Sequence, residues 1–285
     1  MSSALERKEV IAGGIRLQYI ERPADGPSAK KPLLLIHGLL ATAETQAELI
    51  ALLPADRRIV ALDLLSATPV DRSHTLPVHF DSLAALVTEF AEALGIHDPV
   101  LIGHSHGGVL SLNIATFHRM PVSGLVLLCP AHPFEGYRAH VVAFYLKPLG
   151  RQLALCIPFA PAWAILGAYN DAAGPGKPIT YKHLGHYMRV LRKRKTLKRV
   201  LEMLKTWEED MDTMRASMQQ TAIPQSTLLI WGDADPVVPI SSAAALEQHL
   251  AASERITLPG RGHLLAEEAP QELAQHITAW LSLRA

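Results

Sequence analysis

Residues 100–117 read VLIGHSHGGVLSLNIATF and decide the fold of this chain. The apolar triplet at the start is typical of a strand buried on both faces, and residues 109–117 are typical of a helix. Between them, residues 103–107 match G-x-S-x-G, a sharp strand-to-helix turn that holds a serine hydroxyl above a sheet. Glycines flank the serine because a side chain there would collide where strand and helix nearly touch. Ser105 is therefore the predicted nucleophile.

Strand and helix patterns alternate on both sides of this turn. The strand candidates are Val10–Ala12, Ile15–Ile20, Leu33–His37, Ile59–Leu62, Val100–Ile102, Leu125–Leu128, Leu228–Trp231 and Arg255–Leu258. Apolar residues recur at the spacing of one helical stripe in Asp81–Leu94, and helices are also predicted over Ser241–Ala251 and Pro270–Leu283. This alternation predicts an α/β fold with a mostly parallel central sheet flanked by helices.

A long insertion interrupts the alternation, which stops after Cys129 and resumes at Thr227. The residues between them look helical and are too many for a connecting loop. We predict that residues 131–223 form an inserted helical lid and that residues 1–130 and 224–285 form the core. A length of 285 residues suits one compact unit with an insertion, since domains average about 150 residues.

The composition excludes several classes of protein. Hydrophobic residues make up 49% of the chain, which excludes disorder, and 27 basic residues balance 27 acidic ones, which argues against a nucleic-acid partner. Two cysteines cannot build a disulfide framework. Four charged residues, at positions 6–9, interrupt the first ten positions, where a signal peptide needs an apolar run, so we expect a cytoplasmic protein. The uncharged stretch 152–170 contains Pro158 and Pro161 near its middle, and we expect no transmembrane span there.

A serine nucleophile needs a base, most often a histidine oriented by a carboxylate. Asp233 and Asp235 follow the strand LLIW, and His263 follows the strand ITL. The carboxyl ends of parallel strands meet at one edge of a sheet, so an aspartate and His263 are expected to reach Ser105.

The chain resembles the α/β-hydrolase superfamily over essentially its whole length, and most closely its lidded, esterase-like members. Those members commonly show W-G-x-x-D-x-x-x-P around the acid and G-x-G-H around the base. The matching residues are Trp231, Gly232, Asp235 and Pro239, followed by Gly260, Gly262 and His263. The resemblance implies that Asp235 is the acid, with Asp233 as the alternative. It also implies that the backbone N–H groups of Leu39, which follows His37-Gly38, and of His106 hold the oxyanion.

The activity implied is hydrolysis of carboxylic esters of hydrophobic acyl or aryl groups through an acyl-enzyme, without a cofactor. His37, His104 and His106 lie near the predicted pocket, but no H-E-x-x-H or cysteine cluster occurs, and we predict no metal site. Thioester, lactone or carbon–carbon bond hydrolysis would use the same groups, and a hydrophobic-ligand receptor with vestigial turnover is a further alternative. Members that open epoxides or displace halide carry aspartate at the nucleophile position, so Ser105 argues against both reactions.

Two further features of the sequence concern the surroundings of the predicted pocket. Where many relatives have the turn D-x-P-G-x-G after the fourth strand, this chain has DLLSATP at residues 63–69, interpreted as a loop. The predicted lid is rich in aromatic residues, which suggests an apolar roof over the substrate or simple packing: Phe134, Tyr137, Phe144, Tyr145, Phe159, Trp163 and Tyr169.

A basic run crosses the predicted lid. Residues 189–199 contain seven cations: Arg189, Arg192, Lys193, Arg194, Lys195, Lys198 and Arg199. Val190, Leu197, Leu201 and Leu204 form an apolar stripe at helical spacing, so much of the charge is expected on the opposite, solvated face. An anionic partner is the alternative: a membrane surface, an acyl carrier or coenzyme A.

Overall fold

An eight-stranded sheet forms the centre of the structure, a computed structural model that describes residues 5–26, 30–135, 144–176 and 178–284. The strand order is β1-β2-β4-β3-β5-β6-β7-β8. β1 and β2 are antiparallel to their neighbours, and β3 to β8 are parallel to one another. The strands are β1 (Arg7–Ala12), β2 (Ile15–Arg22), β3 (Leu33–Ile36), β4 (Ile59–Pro69), β5 (Val100–His104), β6 (Gly124–Leu128), β7 (Thr227–Gly232) and β8 (Ser253–Leu258).

Helices connect and flank these strands, so the predicted mostly parallel sheet covered by helices is confirmed. They are α1 (Ala47–Leu52), α2 (Phe80–Ala93), α3 (His106–Thr116), α4 (Pro148–Ala154), α5 (Ala162–Ala172), α6 (Tyr181–Leu191), α7 (Arg194–Gln220), α8 (Ala243–Glu247), α9 (Leu265–Glu268) and α10 (Pro270–Ser282). Short 3₁₀ turns occur at Ala43–Gln46, Ile157–Phe159 and Ile240–Ser242. The described residues between β6 and β7 include α4 to α7, where the sequence predicted a helical insertion; that this insertion is a lid remains a prediction.

Two elements differ from the sequence-based expectation because distant segments pair with them. Residues 63–69 were interpreted as a loop, but they continue β4 because they pair antiparallel with β2, where Arg16 faces Thr68 and Ile15 faces Pro69. The helix expected over Ser241–Ala251 ends at Glu247. Residues 249–251 instead form backbone hydrogen bonds with Ile223, which precedes β7.

The longest helix, α7, joins the insertion to the sheet. From Met203 onward, it places four methionines and Trp207 in the main core with the sheet strands. Its first turns place Leu197 and Val200 in a second cluster, which we call the insertion cluster, with buried residues of α5 and α6. The insertion is therefore packed onto the core through one continuous helix.

The aromatic residues of the insertion fall into two groups. Phe134 packs against the main core, and Tyr169 packs in the insertion cluster. Phe159 and Trp163 face solvent, with 74% and 69% of their surface exposed. The expectation of a closed apolar roof is therefore wrong for these two residues; Tyr137 lies outside the described residues.

The basic run also divides. Arg192, Lys193, Arg194, Lys195 and Lys198 are exposed, as expected for a solvated face. Arg199 is buried, contrary to that expectation, because its guanidinium donates to the backbone carbonyls of Leu64 and Pro77 at 2.8 and 3.5 Å.

Among the described helices, none is by itself both long enough and apolar enough to cross a membrane. A pair bent by 117°, Pro148–Phe159 with Ala162–Ala172, reaches the required length and hydropathy when the two are taken together.

Candidate active site

Ser105 sits on a strained turn between β5 and α3. Its backbone lies in the left-handed region with φ 51°, which costs a non-glycine residue about 1–3 kcal/mol. The turn is tight enough that a Cβ on Gly103 would lie 2.4 Å from the carbonyl oxygen of Gly107. A Cβ on Gly107 would lie 2.0 Å from the carbonyl oxygen of Ile36 in the neighbouring strand. The glycines flanking the serine are thus required by close backbone approach.

The structure brings the three residues predicted for the hydrolytic site together. The Nε2 atom of His263, in the loop after β8, lies 2.9 Å from Ser105 Oγ. Its Nδ1 atom lies 2.8 Å from Asp235 Oδ2, in the loop after β7. The three side chains form one continuous chain of hydrogen bonds at the carboxyl edge of the sheet.

Asp235 is held as a buried carboxylate. Its Oδ1 atom accepts the backbone N–H groups of Val237 at 2.7 Å and Val238 at 2.9 Å. Burial alone would raise the pKa of Asp235, but the adjacent His263 ring and the Val238 N–H donor lower this pKa below its usual value. The alternative acid, Asp233, is exposed and accepts the backbone N–H of Gly260 at 2.7 Å, which leaves it outside the chain of contacts.

The two N–H groups predicted to hold an oxyanion come from two elements, and the turn that carries Leu39 approaches the serine, since a Cβ on Gly38 would lie 3.4 Å from Ser105 Cβ. His106 is the first residue of α3, where a helix leaves its N–H groups without intrahelical acceptors. Leu39 lies in the turn closed by the hydrogen bond from Ala41 N–H to Gly38 O. His37 supports this turn, since its Nδ1 atom lies 2.7 Å from Gly38 O and its Nε2 accepts the N–H of Leu64 at 3.0 Å.

His104 orients the backbone of His263, a role that the sequence did not suggest. Its Nε2–H donates to the carbonyl oxygen of His263 at 2.7 Å. Burial, followed by the nearby His263 ring, lowers the pKa of His104 to about 3, so its ring is neutral. The G-x-S-x-G pattern allows any residue at position 104, so the contact between His104 and the His263 loop follows only from the fold.

Three groups that could ligate a metal ion lie near one another. The Sγ atom of Cys129 and ligand atoms of Asp235 and His263 fall within 4.8 Å of one another. Asp235 and His263 bond directly to each other, and burial followed by the charge of Asp235 raises the pKa of the Cys129 thiol well above its usual range. We interpret Cys129 as a packing neighbour of Asp235, and the metal-free reading stays a prediction.

A cavity of about 260 Å³ lies between the segment after β6 and α7, near the serine turn. Trp207, in its wall, stacks on the ring of His106 with ring centres 5.7 Å apart. Burial, followed by the charge of Asp235, raises the pKa of Glu135 in this wall to about 8. At neutral pH the Glu135 carboxyl is therefore mostly protonated and adds little negative charge near Asp235.

Comparison with known proteins shows similarity along most of the chain. A family model for the α/β hydrolase fold matches residues 31–270. The "Uncharacterized hydrolase YugF" of Bacillus subtilis is 27% identical over 285 residues, covering 98% of both chains. Human monoacylglycerol lipase ABHD6 is 23% identical over 278 residues, covering 90% of this chain and 77% of that relative. The crystal structure of Cfl2 from Burkholderia cenocepacia superposes with a TM-score of 0.82 at 21% identity, covering 96% of this chain and 95% of that one.

Proposed function

The chain belongs to the α/β-hydrolase family, and from this premise we propose that it is a serine hydrolase that cleaves carboxylic esters of hydrophobic acyl or aryl groups. The observation that carries the proposal is the contact chain from Ser105 through His263 to Asp235, at 2.9 and 2.8 Å. Such a chain converts an unreactive hydroxyl into a nucleophile, because the histidine accepts its proton as the new bond forms.

In the proposed first half-reaction, Ser105 Oγ bonds to the ester carbonyl carbon while its proton passes to His263 Nε2. Asp235 stabilises the resulting imidazolium and fixes its tautomer. The N–H groups of Leu39 and His106 bind the negative charge on the carbonyl oxygen, and each such donor typically contributes about 10²–10³ in rate. When the carbon–oxygen bond of the leaving group breaks, the departing alcohol takes the proton from His263.

In the second half-reaction, water attacks the acyl group on Ser105. His263 accepts a proton from this water, the same two N–H groups hold the oxyanion, and the serine oxygen leaves with the proton returned by His263. The products are a carboxylic acid and free enzyme, and no step calls for a cofactor.

A hydrophobic acyl group is supported by the apolar surroundings of the turn that carries Leu39. The side chains of Leu39 and Leu40 pack against the insertion cluster, and the hydroxyl of Tyr169 donates to the carbonyl of Leu40 at 3.2 Å. The relatives named as monoacylglycerol lipases act, by that name, on esters with one acyl chain, in keeping with apolar side chains at this place.

The test compares Ser105→Ala with Ser123→Ala. In the wild type, the exposed hydroxyl of Ser123 donates to the carbonyl oxygen of Asp98 at 2.9 Å, outside the candidate site. We expect Ser105→Ala to fold and to lose at least about 10³-fold in kcat on p-nitrophenyl butyrate and on a monoacylglycerol. Ser123→Ala should match the wild type, and a fluorophosphonate probe should label Ser105. Labelling of another serine, or retention of more than roughly a few per cent of kcat, would contradict the proposal.

A substrate panel then separates the alternatives that share these groups. Esters, lactones and acyl-coenzyme A thioesters should be compared by kcat/KM on the same preparation. Preference for an ester of a medium or long acyl chain supports the proposal. Tight binding of apolar ligands with no turnover of any of them would instead favour a receptor.

A further inference from the structure

The insertion presents large apolar side chains to solvent. Leu149 and Leu153 on α4 are 64% and 51% exposed, and Phe159 and Trp163 are more exposed still. Leu149 and Leu153 lie one helical turn apart and share a face of α4. Phe159 ends the 3₁₀ turn that follows, and Trp163 lies in the first turn of α5. Several exposed apolar side chains within residues 149–163 make this segment a candidate interaction surface.

Exposed cations border these apolar residues. Lys193 directly precedes α7, and Arg194, Lys195 and Lys198 lie in its first two turns. Among the residues that the structure describes, none of the four forms an ion pair. The four contrast with Arg199 of the same run, which is buried and bonded to backbone carbonyls.

Two contacts bring the cations and the apolar residues together. The guanidinium of Arg192 donates to the carbonyl of Pro158, the residue before Phe159. Arg151, on the face of α4 opposite the two exposed leucines, pairs with Glu202 at 3.0 Å and holds α4 beside α7. Glu202 lies one turn beyond Lys198 on the same face of α7. These contacts place α4 and the turn that ends at Phe159 beside the cation-bearing start of α7.

We propose that this docking surface, formed by Leu149, Leu153, Phe159, Trp163, Lys193, Arg194, Lys195 and Lys198, binds the surface of an anionic phospholipid bilayer. Large apolar side chains, with tryptophan among them, insert at the level of the headgroups, where the indole ring is especially favourable. The lysines and arginines contact the negatively charged headgroups. A soluble anionic partner such as coenzyme A would satisfy the cations but leave the apolar side chains in water.

Docking would place the insertion against the lipid bilayer, in which apolar esters dissolve. The surface includes none of Ser105, Asp235 and His263, so docking and hydrolysis can fail independently. The two apolar segments are bent by 117° from each other, so they do not form one straight helix.

The test is sedimentation of the full chain with vesicles of phosphatidylcholine containing about 30% phosphatidylserine, compared with pure phosphatidylcholine. The wild type should partition onto the anionic vesicles, and binding should weaken as salt rises. Exchange of Lys193, Arg194, Lys195 and Lys198 for Gln should lower the partition coefficient by at least about 100-fold, since each cation near an anionic surface contributes about fivefold.

A charge-matched control exchanges Lys30, Lys31, Arg255 and Arg284 for Gln. Lys30, Lys31 and Arg255 lie at or near the amino ends of strands, and Arg284 stacks on Trp280, whose ring lies against Gly124 at the start of β6. This variant should bind vesicles as the wild type does. Phe159→Ser with Trp163→Ser should lower partitioning by about tenfold or more, and Leu283→Ser, an exposed apolar change elsewhere, should not.

All these variants should hydrolyse soluble p-nitrophenyl butyrate at the wild-type rate, which separates loss of docking from loss of the proposed activity. The proposal is overturned if the wild type does not sediment with anionic vesicles, or if the two charge-neutralised variants bind them equally. It is also overturned if the four cations increase affinity for soluble acyl-coenzyme A but not for vesicles.

Discussion

The carboxylate of Glu268 accepts a hydrogen bond from the backbone N–H of Gly174 at 2.9 Å. Glu268 ends α9, and Gly174 follows α5 in the insertion. The same carboxylate accepts the N–H groups of Gly262 at 2.8 Å and Leu264 at 2.9 Å, on either side of His263. The N–H of His263 in turn donates to the carbonyl of Ala172 at 2.9 Å. The insertion and the loop of the proposed base are thus held as one unit.

We expect Glu268→Gln to loosen this unit. The amide of glutamine cannot accept all three N–H donors as the carboxylate does, because its NH₂ group would face at least one of these donors. The unfolding free energy should therefore fall by about 1–3 kcal/mol. Because His263 is displaced rather than removed, kcat should fall about tenfold with KM nearly unchanged. Urea unfolding and p-nitrophenyl butyrate kinetics measure the two effects. Glu92→Gln, an exposed change on α2, is the control and should change neither.

The backbone strain at Ser105 gives a second expectation. At φ 51° a glycine avoids the steric penalty that any residue with a Cβ carries. Ser105→Gly should therefore be more stable than Ser105→Ala by about 1 kcal/mol, although both lack the hydroxyl and should be inactive. Thermal unfolding of the two variants side by side checks this. Equal stability would show that the turn is relaxed in solution.

The two candidate acids can be separated with a matched pair of substitutions. Asp235→Asn should lower kcat by about 10⁴-fold, because an amide favours the wrong tautomer of His263. Asp233→Asn should leave kcat nearly unchanged, since its amide oxygen can still accept the N–H of Gly260. Steady-state kinetics on one soluble ester compares them. A large loss in Asp233→Asn with a small one in Asp235→Asn would reverse the assignment.

The sequence located the site where the chemistry depends on local patterns. The turn around Ser105 and the loop ending in His263 carry compact signatures, and both side chains lie where those signatures predict. The choice of Asp235 over Asp233 required the spacing seen in the family, because both aspartates follow the same strand. In the structure, Asp235 bonds to His263 and Asp233 points to solvent.

The missed features depend on contacts between distant parts of the chain. Glu268 meets Gly174 across 94 residues, and the local sequence around Glu268 predicts no more than a helix start. The extension of β4 depends on pairing with β2, which composition does not reveal. Phe159 and Trp163 are exposed although their type favours burial, because the sequence pattern shows which residues are apolar but not which apolar face is left without a partner.

Removal of divalent metal ions should leave hydrolysis unchanged. In the proposed mechanism the base is held by Asp235 and the oxyanion by backbone N–H groups, so no step calls for a Lewis acid. Dialysis against EDTA, followed by rate measurement with and without added zinc, tests this. Activity lost in EDTA and restored by zinc would instead make Cys129, Asp235 and His263 the first ligands to examine.

Glu267 makes stability depend on pH. Its carboxyl is buried against the hydroxyl of Tyr187, and burial raises its pKa from 4.5 to about 8. Between these values the folded state keeps a proton that the unfolded state has lost. Stability should therefore fall as pH rises through this window, by at most about 1.4 kcal/mol per pH unit for this group. Glu135, whose pKa is also raised to about 8, adds a dependence of the same sign.

We expect Glu267→Gln to remove the share of this dependence that Glu267 contributes. The unfolding free energy of the variant minus that of the wild type should rise between pH 5 and pH 8 by up to about 4 kcal/mol. The reason is that glutamine has no proton to lose and still offers an amide to Tyr187. Urea unfolding of both proteins at the two pH values measures this difference. Glu92→Gln, on the surface, should show none. A difference between Glu267→Gln and the wild type that does not change with pH would mean that Glu267 is already ionised in the folded protein, with Tyr187 as its hydrogen-bond donor.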